Sequence, residues 1–304
     1  MGRRARSAAL GLLCGALLVC ATGSAAADSL LVPNTNWTAL LPPLPGTPTE
    51  PQPGPVPYCE TPSIGCIDTE IDRLTALRDQ FGCDHRAVFA TTYLGLTGEL
   101  RDTLDTDPGL IRYPDYLYTE DALFADMYFD SFHAWETGGP VAPAWRIAFQ
   151  QASSGQITGA QEMLLGINAH VQNDMPFLIA ALGVRAPDGT TRKPDHDAVN
   201  EVLNRAYERV VTAIRQRFDP SIGLTNPDIV PADDIGGLET VRVWRELVWR
   251  NAERLLNAQT DTERQSVANQ IETNAALWAQ GIAAVQVPGI RASRDAYCEK
   301  QLSS

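Results

Sequence analysis

The chain has 304 residues, with 24 basic and 37 acidic side chains and a formal net charge of −13; 44% of its residues are hydrophobic and 20% charged. Those values describe a chain able to build a core and exclude a largely disordered one. The acidic balance excludes nucleic acid as an expected partner, because phosphate contacts require a concentrated basic surface.

Residues 1–27 read as a secretory signal peptide. Arg3, Arg4 and Arg6 form its charged start, Ala8 to Ala21 a short apolar stretch, and Ala25-Ala26-Ala27 a small-residue cleavage site ahead of Asp28. The apolar stretch is short for a membrane span, and no other segment could cross a bilayer. The expected location is therefore secreted or extracytoplasmic, with no transmembrane span after cleavage behind Ala27. Cleavage removes three arginines and no acid, taking the charge from −13 to −16.

Residues 28–57 carry nine of the 21 prolines and read as an extended tether that cannot build a core. From 58 to 304 the pattern predicts one helical domain. Ile67, Ile71, Leu74, Leu77 and Phe81 share a stripe at helical spacing. Asp84 can cap a second helix through Val88, Phe89, Tyr93, Leu94 and Leu96. Thr119, followed by Glu120 and Asp121, reads as the start of a third that runs through Trp135, its acids suiting the helix dipole. Pro143 opens a fourth. Thr158 with Gln161, and Thr260 with Glu263, fit the capping box. Asp195 reads as the cap of a helix striped by Val199, Leu203, Val210, Ile214 and Phe218, and Trp244, Leu247, Val248 and Leu255 mark another. No alternating strand pattern or repeat is visible. The expectation is an all-α, single multi-helix bundle of about seven to nine helices.

Signal removal takes away Cys14 and Cys20 and leaves Cys59, Cys66, Cys83 and Cys298. An even number in an exported chain points to two disulfides. The pairing favoured is Cys59–Cys66 as a local loop and Cys83–Cys298 as a long staple contributing about 4 kcal/mol through loop-closure entropy. No Cys-x-x-Cys pair supports a thiolate metal site.

Four histidines are available for chemistry: His85, His133, His170 and His196. His170 and Asp174 lie four apart, on one helix face, and can bind one metal ion or each other. Asn168 and Asn173 add polarity to the same apolar stretch, and Pro176 deprives the carbonyl of Gln172 of its helical donor. His196 and Asn200 are again four apart. Asp195 and Asp197 beside His196 are expected to raise its pKa and keep it useful as an acid or base. Asp84, His85 and Asp130 are further candidate ligands. Asp126, Asp130 and His133 share a face that reads as solvated, because Phe124, Met127, Phe132 and Trp135 supply the buried one. Arg192 and Lys193 could hold an anionic substrate group, although Asp197 could equally pair with either.

The segments Cys83 to Ala90, Pro143 to Phe149, Leu165 to Val171 with Asp174 to Phe177, Arg192 to Asp197 with Val199-Asn200, and Trp244 to Glu246 with Trp249 to Glu253 resemble an uncharacterised family of actinobacterial proteins, classed as a domain of unknown function. The resemblance covers about Cys59 to Val285 and implies no particular reaction. A second likeness is to bacterial zinc-dependent phospholipase C, exported all-α enzymes in which one ligand helix carries His-x-x-x-Asp followed by a proline. His170, Asp174 and Pro176 fit that spacing, but the chain owns too few histidines for a three-zinc cluster, and the His-x-x-x-Glu helix is missing.

Two functions follow as expectations. One is a secreted metal-dependent hydrolase of phosphoesters or lipid esters, using zinc or another divalent metal. His170 and Asp174 would be ligands, with His196, Asp84 and His85 completing the set. His196, Asp197 and Asn200 would then be catalytic, and Arg192, Lys193 and Asn168 would bind substrate. The other is a non-catalytic module for a small apolar ligand, a cell-envelope component or a protein, with the His–Asp pairs as buried struts.

Overall fold

In the computed structural model, residues 58–222 and 234–303 are described; the segment read as a signal peptide, 1–27, and the tether, 28–57, lie outside them. The first stripe forms α1 (Ile64–Phe81), which buries Ile67, Leu74 and Leu77. Its apolar face lies against α2 (Ala87–Thr106) and α3 (Pro114–Glu136). α4 (Pro143–Ser154) opens on its proline, whose absent N–H costs nothing in a first turn. The chain then enters a long composite helix, α5. It runs as an α-helix over Gly159–Ile167, a π-helix over Asn168–Asp174 and an α-helix again over Met175–Leu182. Four more follow: α6 (Lys193–Arg217), α7 (Asp234–Asn257), α8 (Asp261–Ala283) and α9 (Ile290–Leu302). With α5 counted once, the described residues hold nine helices and no strand beyond an isolated bridge between Arg185 and Thr191. None of these helices is long and apolar enough to cross a membrane.

Both capping boxes form. The Thr158 hydroxyl accepts from the Gln161 backbone N–H at 3.2 Å, and Thr260 does the same for Glu263. One start differs from expectation. The third helix begins at Pro114, not Thr119, so Glu120 and Asp121 sit inside it rather than in its first turn. Asp195 also differs. Its carboxylate caps a neighbouring segment, accepting from the backbone N–H groups of Arg112 at 2.9 Å and Tyr113 at 2.8 Å. Leu247, counted on the apolar stripe of α7, is 40% exposed.

The core lies around α5, which meets α2, α3, α4, α7 and α8. Its closest approach is to α2 at Gly166: a Cβ there would stand 2.0 Å from the Phe89 ring, so only glycine lets Phe89 press onto the helix backbone. Asn168 donates to the Ala275 carbonyl of α8 at 2.9 Å, and Asn274 of α8 donates to Gln172 at 2.8 Å, which stitches the π-turn to α8. The Asn168 and Gln172 amides within this apolar helix are thereby paired rather than stranded.

Cys59–Cys66 and Cys83–Cys298 are both disulfides, spanning 7 and 215 residues of sequence. The long bridge holds α9 against the body. Beside it, Arg294 of α9 pairs with buried Glu162 at 2.7 Å, and His85 bridges Glu162 at 2.7 Å and Asp295 at 2.8 Å. Loop-closure entropy makes the two bridges unequal. Replacing Cys83 and Cys298 by serine should lower unfolding free energy by about 5 kcal/mol, against about 2 kcal/mol for Cys59 and Cys66. Urea titration of the two double variants checks the order.

Candidate functional site

Pro176 has no N–H to return to the Gln172 carbonyl, and the turn that precedes it widens from α to π. Within that turn His170 Nδ1 lies 3.0 Å from Asp174 Oδ2. Trp145 Nε1 donates to the same oxygen at 2.8 Å, and Asn173 Nδ2 donates to Asp174 Oδ1 at 2.8 Å. A carboxylate so supplied with donors needs the His170 proton on Nδ1, which leaves Nε2 with a lone pair. Nε2 is buried and has no partner among the described residues. The ring stacks on Phe124 at 3.4 Å between centroids and meets the edge of Tyr93 at 4.9 Å. Burial pushes the His170 pKa below its ordinary value, and the pull of Asp174 does not reverse it. His170 is a neutral imidazole with a fixed tautomer.

His170 forms part of the wall of a cavity of about 150 Å3 enclosed by α2, α3, α5, α6 and α7. The wall is almost wholly apolar, with Leu96 and Leu100 from α2 facing Val199, Val202 and Leu203 from α6. Its exceptions converge on one side. Glu120 and Asp121 come from α3 and Arg245 from α7. Behind Asp121 stands Glu70 of α1, wholly buried, its carboxyl within hydrogen-bonding reach of Asp121 and accepting from Thr97 Oγ1 at 3.2 Å. Glu70 Oε2, Asp121 Oδ2 and the Tyr93 hydroxyl all lie buried, without a conventional hydrogen bond of their own.

Burial and the mutual repulsion of Asp121 and Glu70 drive the Glu70 pKa well above the usual carboxylate range. Burial pushes Asp121 up to about 6. Burial also pushes Glu120 up to about 7, with Arg245 opposing and Asp121 adding to the effect. Two facing carboxyls in a poor dielectric hold one proton between them.

The residues singled out from sequence do not form one constellation. His170 and Asp174 pair as described. His196 is buried at the junction of α6 and α7, its Nε2 3.0 Å from the Arg245 carbonyl oxygen, with the Arg245 guanidinium at its other face. The expectation that acids raise its pKa is reversed. Burial, Arg245 and Lys193 drive it well below the ordinary value, because Asp195 is turned to the Arg112–Tyr113 backbone and Asp197 is held by Lys193. Asn200 accepts from Arg245 Nε at 2.9 Å, and Asn168 is tied to α8. Lys193, one of only two lysines, is buried between Asp197 and Glu246, the latter at 2.7 Å. Arg192 lies over the Tyr116 ring at 3.9 Å and donates to the Leu182 carbonyl. Asp84 is clasped by Arg86 through Nε at 2.8 Å and Nη2 at 2.7 Å; burial works against this ionised form, but Arg86 holds its carboxyl below the usual range. For His85, burial alone would lower the pKa, but Glu162 and Asp295 raise it. Asp130 and His133 are exposed, and Asp126 pairs with Arg73, as the solvated face requires. Among the described residues no group of three or more His, Cys, Asp or Glu side chains is placed to hold a metal ion.

Glu70, Glu120, Asp121 and Arg245 are the residues that sequence reasoning missed. The signal for three of them was present. Glu70 falls between Ile67 and Leu74 on the buried stripe of α1. Asp121 and Glu120 fall between Leu117 and Phe124 once the helix is started at Pro114, where a first-turn proline belongs.

The electrostatics have a sign that can be checked. A carboxyl whose folded pKa is raised binds its proton more tightly in the fold. Its stabilising contribution is complete near pH 4 and is lost as pH rises through about 6 for Asp121 and about 7 for Glu120. His170 acts oppositely: its lowered pKa withdraws stability as pH falls below the unfolded value. The difference between wild type and Asp121→Asn reports the Asp121–Glu70 pair. Urea unfolding from pH 4.5 to 7.5 should show the variant gaining on the wild type as pH rises, by about 2 kcal/mol at the upper end.

No curated protein and no solved structure matches the chain. The stretch 67–285, which contains α2 to α7 entire, most of α1, all of α8 and every residue of the cavity wall, matches the family of unknown function DUF5995, and the chain belongs to that family.

Proposed function

We propose that this protein is an exported binding module for a small, largely apolar ligand held in the cavity between α2, α3, α5, α6 and α7. The observation that carries the reading is the cavity itself: about 150 Å3 of space in an otherwise close-packed bundle, walled by leucine, valine and aromatic side chains. Empty space costs stability in proportion to its volume, about 24 cal/mol per Å3 in cores, so a core without a use for it tends to close. An apolar cavity of roughly this size accepts a molecule as large as benzene. The disulfides and the absence of a spanning helix among the described residues are compatible with work outside the cytoplasm.

The hydrolase reading asks for more ligands around His170 than the described residues supply, since Asp174 is its one acidic hydrogen-bond partner and the rest of its surroundings are aromatic. Arg192 and Lys193 have their charges engaged elsewhere, so neither is presented to an anionic substrate.

Toluene is the probe. Ligand-observed NMR should show it bound by the wild type, and saturation at a hundred times Kd should raise unfolding free energy by about 2.7 kcal/mol. Val199→Phe, which pushes a ring into the cavity, should weaken toluene at least about tenfold and leave the far-UV spectrum unchanged. Absence of toluene binding by the wild type, or equal binding by the folded variant, would refute the reading.

A further inference from the structure

The apolar wall sets the size of the ligand but not its polar end. That end is set by charge. Two carboxyls, Glu120 and Asp121, line the cavity, and Glu70 stands behind Asp121. Glu120 makes no hydrogen bond or ion pair among the described residues, although it is surrounded by protein. It is partly exposed and lines the cavity. Asp121, over nine-tenths buried, lines the same wall with Glu70 behind it.

Arg245 is the cation on this wall; its charge acts on Glu120, but its hydrogen bonds go elsewhere. Nε goes to Asn200 at 2.9 Å, Nη1 to the Met175 sulfur at 3.6 Å, and Nη2 to the His196 carbonyl. Arg192, the other cation that acts on Glu120, is stacked on Tyr116. Asp195 of α6 faces Glu120 with a further negative charge, and His170 of α5 is neutral. From α2, Tyr93 and Phe89 present rings to the same space, with Phe124 of α3 beside them. Carboxyls short of countercharge, next to aromatic faces, are the chemistry that receives an organic ammonium group.

We propose that the ligand of this cavity carries a protonated amine on a short apolar tail, and that Glu120, backed by Asp121, is the ionic partner of that amine. The inference rests on the apolar-ligand reading above and adds the ligand's class. A neutral ligand would leave Glu120 without a partner, and an anion would meet repulsion from the ionised carboxyls. Binding of the ammonium draws the proton off Glu120, so affinity rises with pH.

The test compares benzylamine with toluene on the full-length mature protein, by calorimetry or ligand-observed NMR between pH 6 and 8. Benzylamine stays protonated across that range, so its pH dependence reports the protein. With Glu120 at about 7, benzylamine should bind more tightly than toluene at pH 8 and roughly tenfold more weakly at pH 6 than at pH 8. Toluene should show no such slope. Glu120→Gln should remove the slope and the preference for the amine while keeping toluene affinity, which also shows that the variant is folded. The wild-type pH profile stands even if that variant does not fold. Toluene binding with benzylamine no tighter, or a benzylamine affinity flat with pH, would overturn the amine proposal and leave the apolar-ligand reading in place. Failure of both probes to bind the wild type would overturn both.

Discussion

A single buried carboxylate organises the centre of this fold. Asp174 is 4% exposed and would be intolerable there as a bare charge. Three donors from one turn and one neighbouring helix meet it: the His170 imidazole, the Asn173 amide and the Trp145 indole. The indole fixes α4 against α5. The imidazole is pressed flat on Phe124, which fixes α3, and edge-on to Tyr93, which fixes α2. Removing the carboxylate would strand all three donors at once, each at a cost comparable with a lost buried hydrogen bond, about 1–3 kcal/mol. The wide π-turn that brings His170 and Asp174 together follows from Pro176, so one missing N–H sets the geometry on which four helices converge.

The same turn explains why the cavity lies where it does. With Phe89 seated against Gly166 and His170 stacked on Phe124, the aromatic side chains are drawn toward α5. Across the gap, α2 and α6 contribute aliphatic side chains, among them Leu96, Leu100, Val199 and Leu203, the last two partly exposed. A pocket formed in advance lowers the reorganisation cost of any ligand that enters it.

Local features of the fold were legible in the sequence because their causes are local. Thr158 with Gln161 and Thr260 with Glu263 satisfy backbone donors three residues away, and the proline of α4 needs no partner at all. The disulfide pairing was legible for a different reason: with Cys14 and Cys20 set aside, four cysteines leave few arrangements, and one pair was close in sequence. The His170–Asp174 contact was likewise visible as a four-residue spacing. Tertiary surroundings were not. Asp195 and Asp197 flank His196 in sequence, yet one caps a distant backbone and the other neutralises a lysine, so the charges that act on His196 come from Arg245 and Lys193. Glu120 and Asp121 looked like first-turn acids because Thr119 precedes them. Pro114 outranks Thr119 as a helix start, and shifting the start by a turn and a half moves both carboxyls from the surface to the cavity wall.

The two polar systems of the molecule differ in how completely they are satisfied, and the difference separates scaffold from site. Around α9, His85, Glu162, Arg294 and Asp219 form a closed network beside the Cys83–Cys298 bridge, with acids and bases in mutual contact. That network holds the C-terminal helix in place. At the cavity the set is less complete: Glu120 has no hydrogen-bonded partner among the described residues, His170 keeps an unused nitrogen, and Arg245 directs its hydrogen bonds to Asn200 and the His196 carbonyl. Buried polar groups left short of partners are expensive, and a fold keeps them where something arrives to complete them. Here unsatisfied polar groups border unfilled space, whereas the α9 network has its acids and bases in contact with one another.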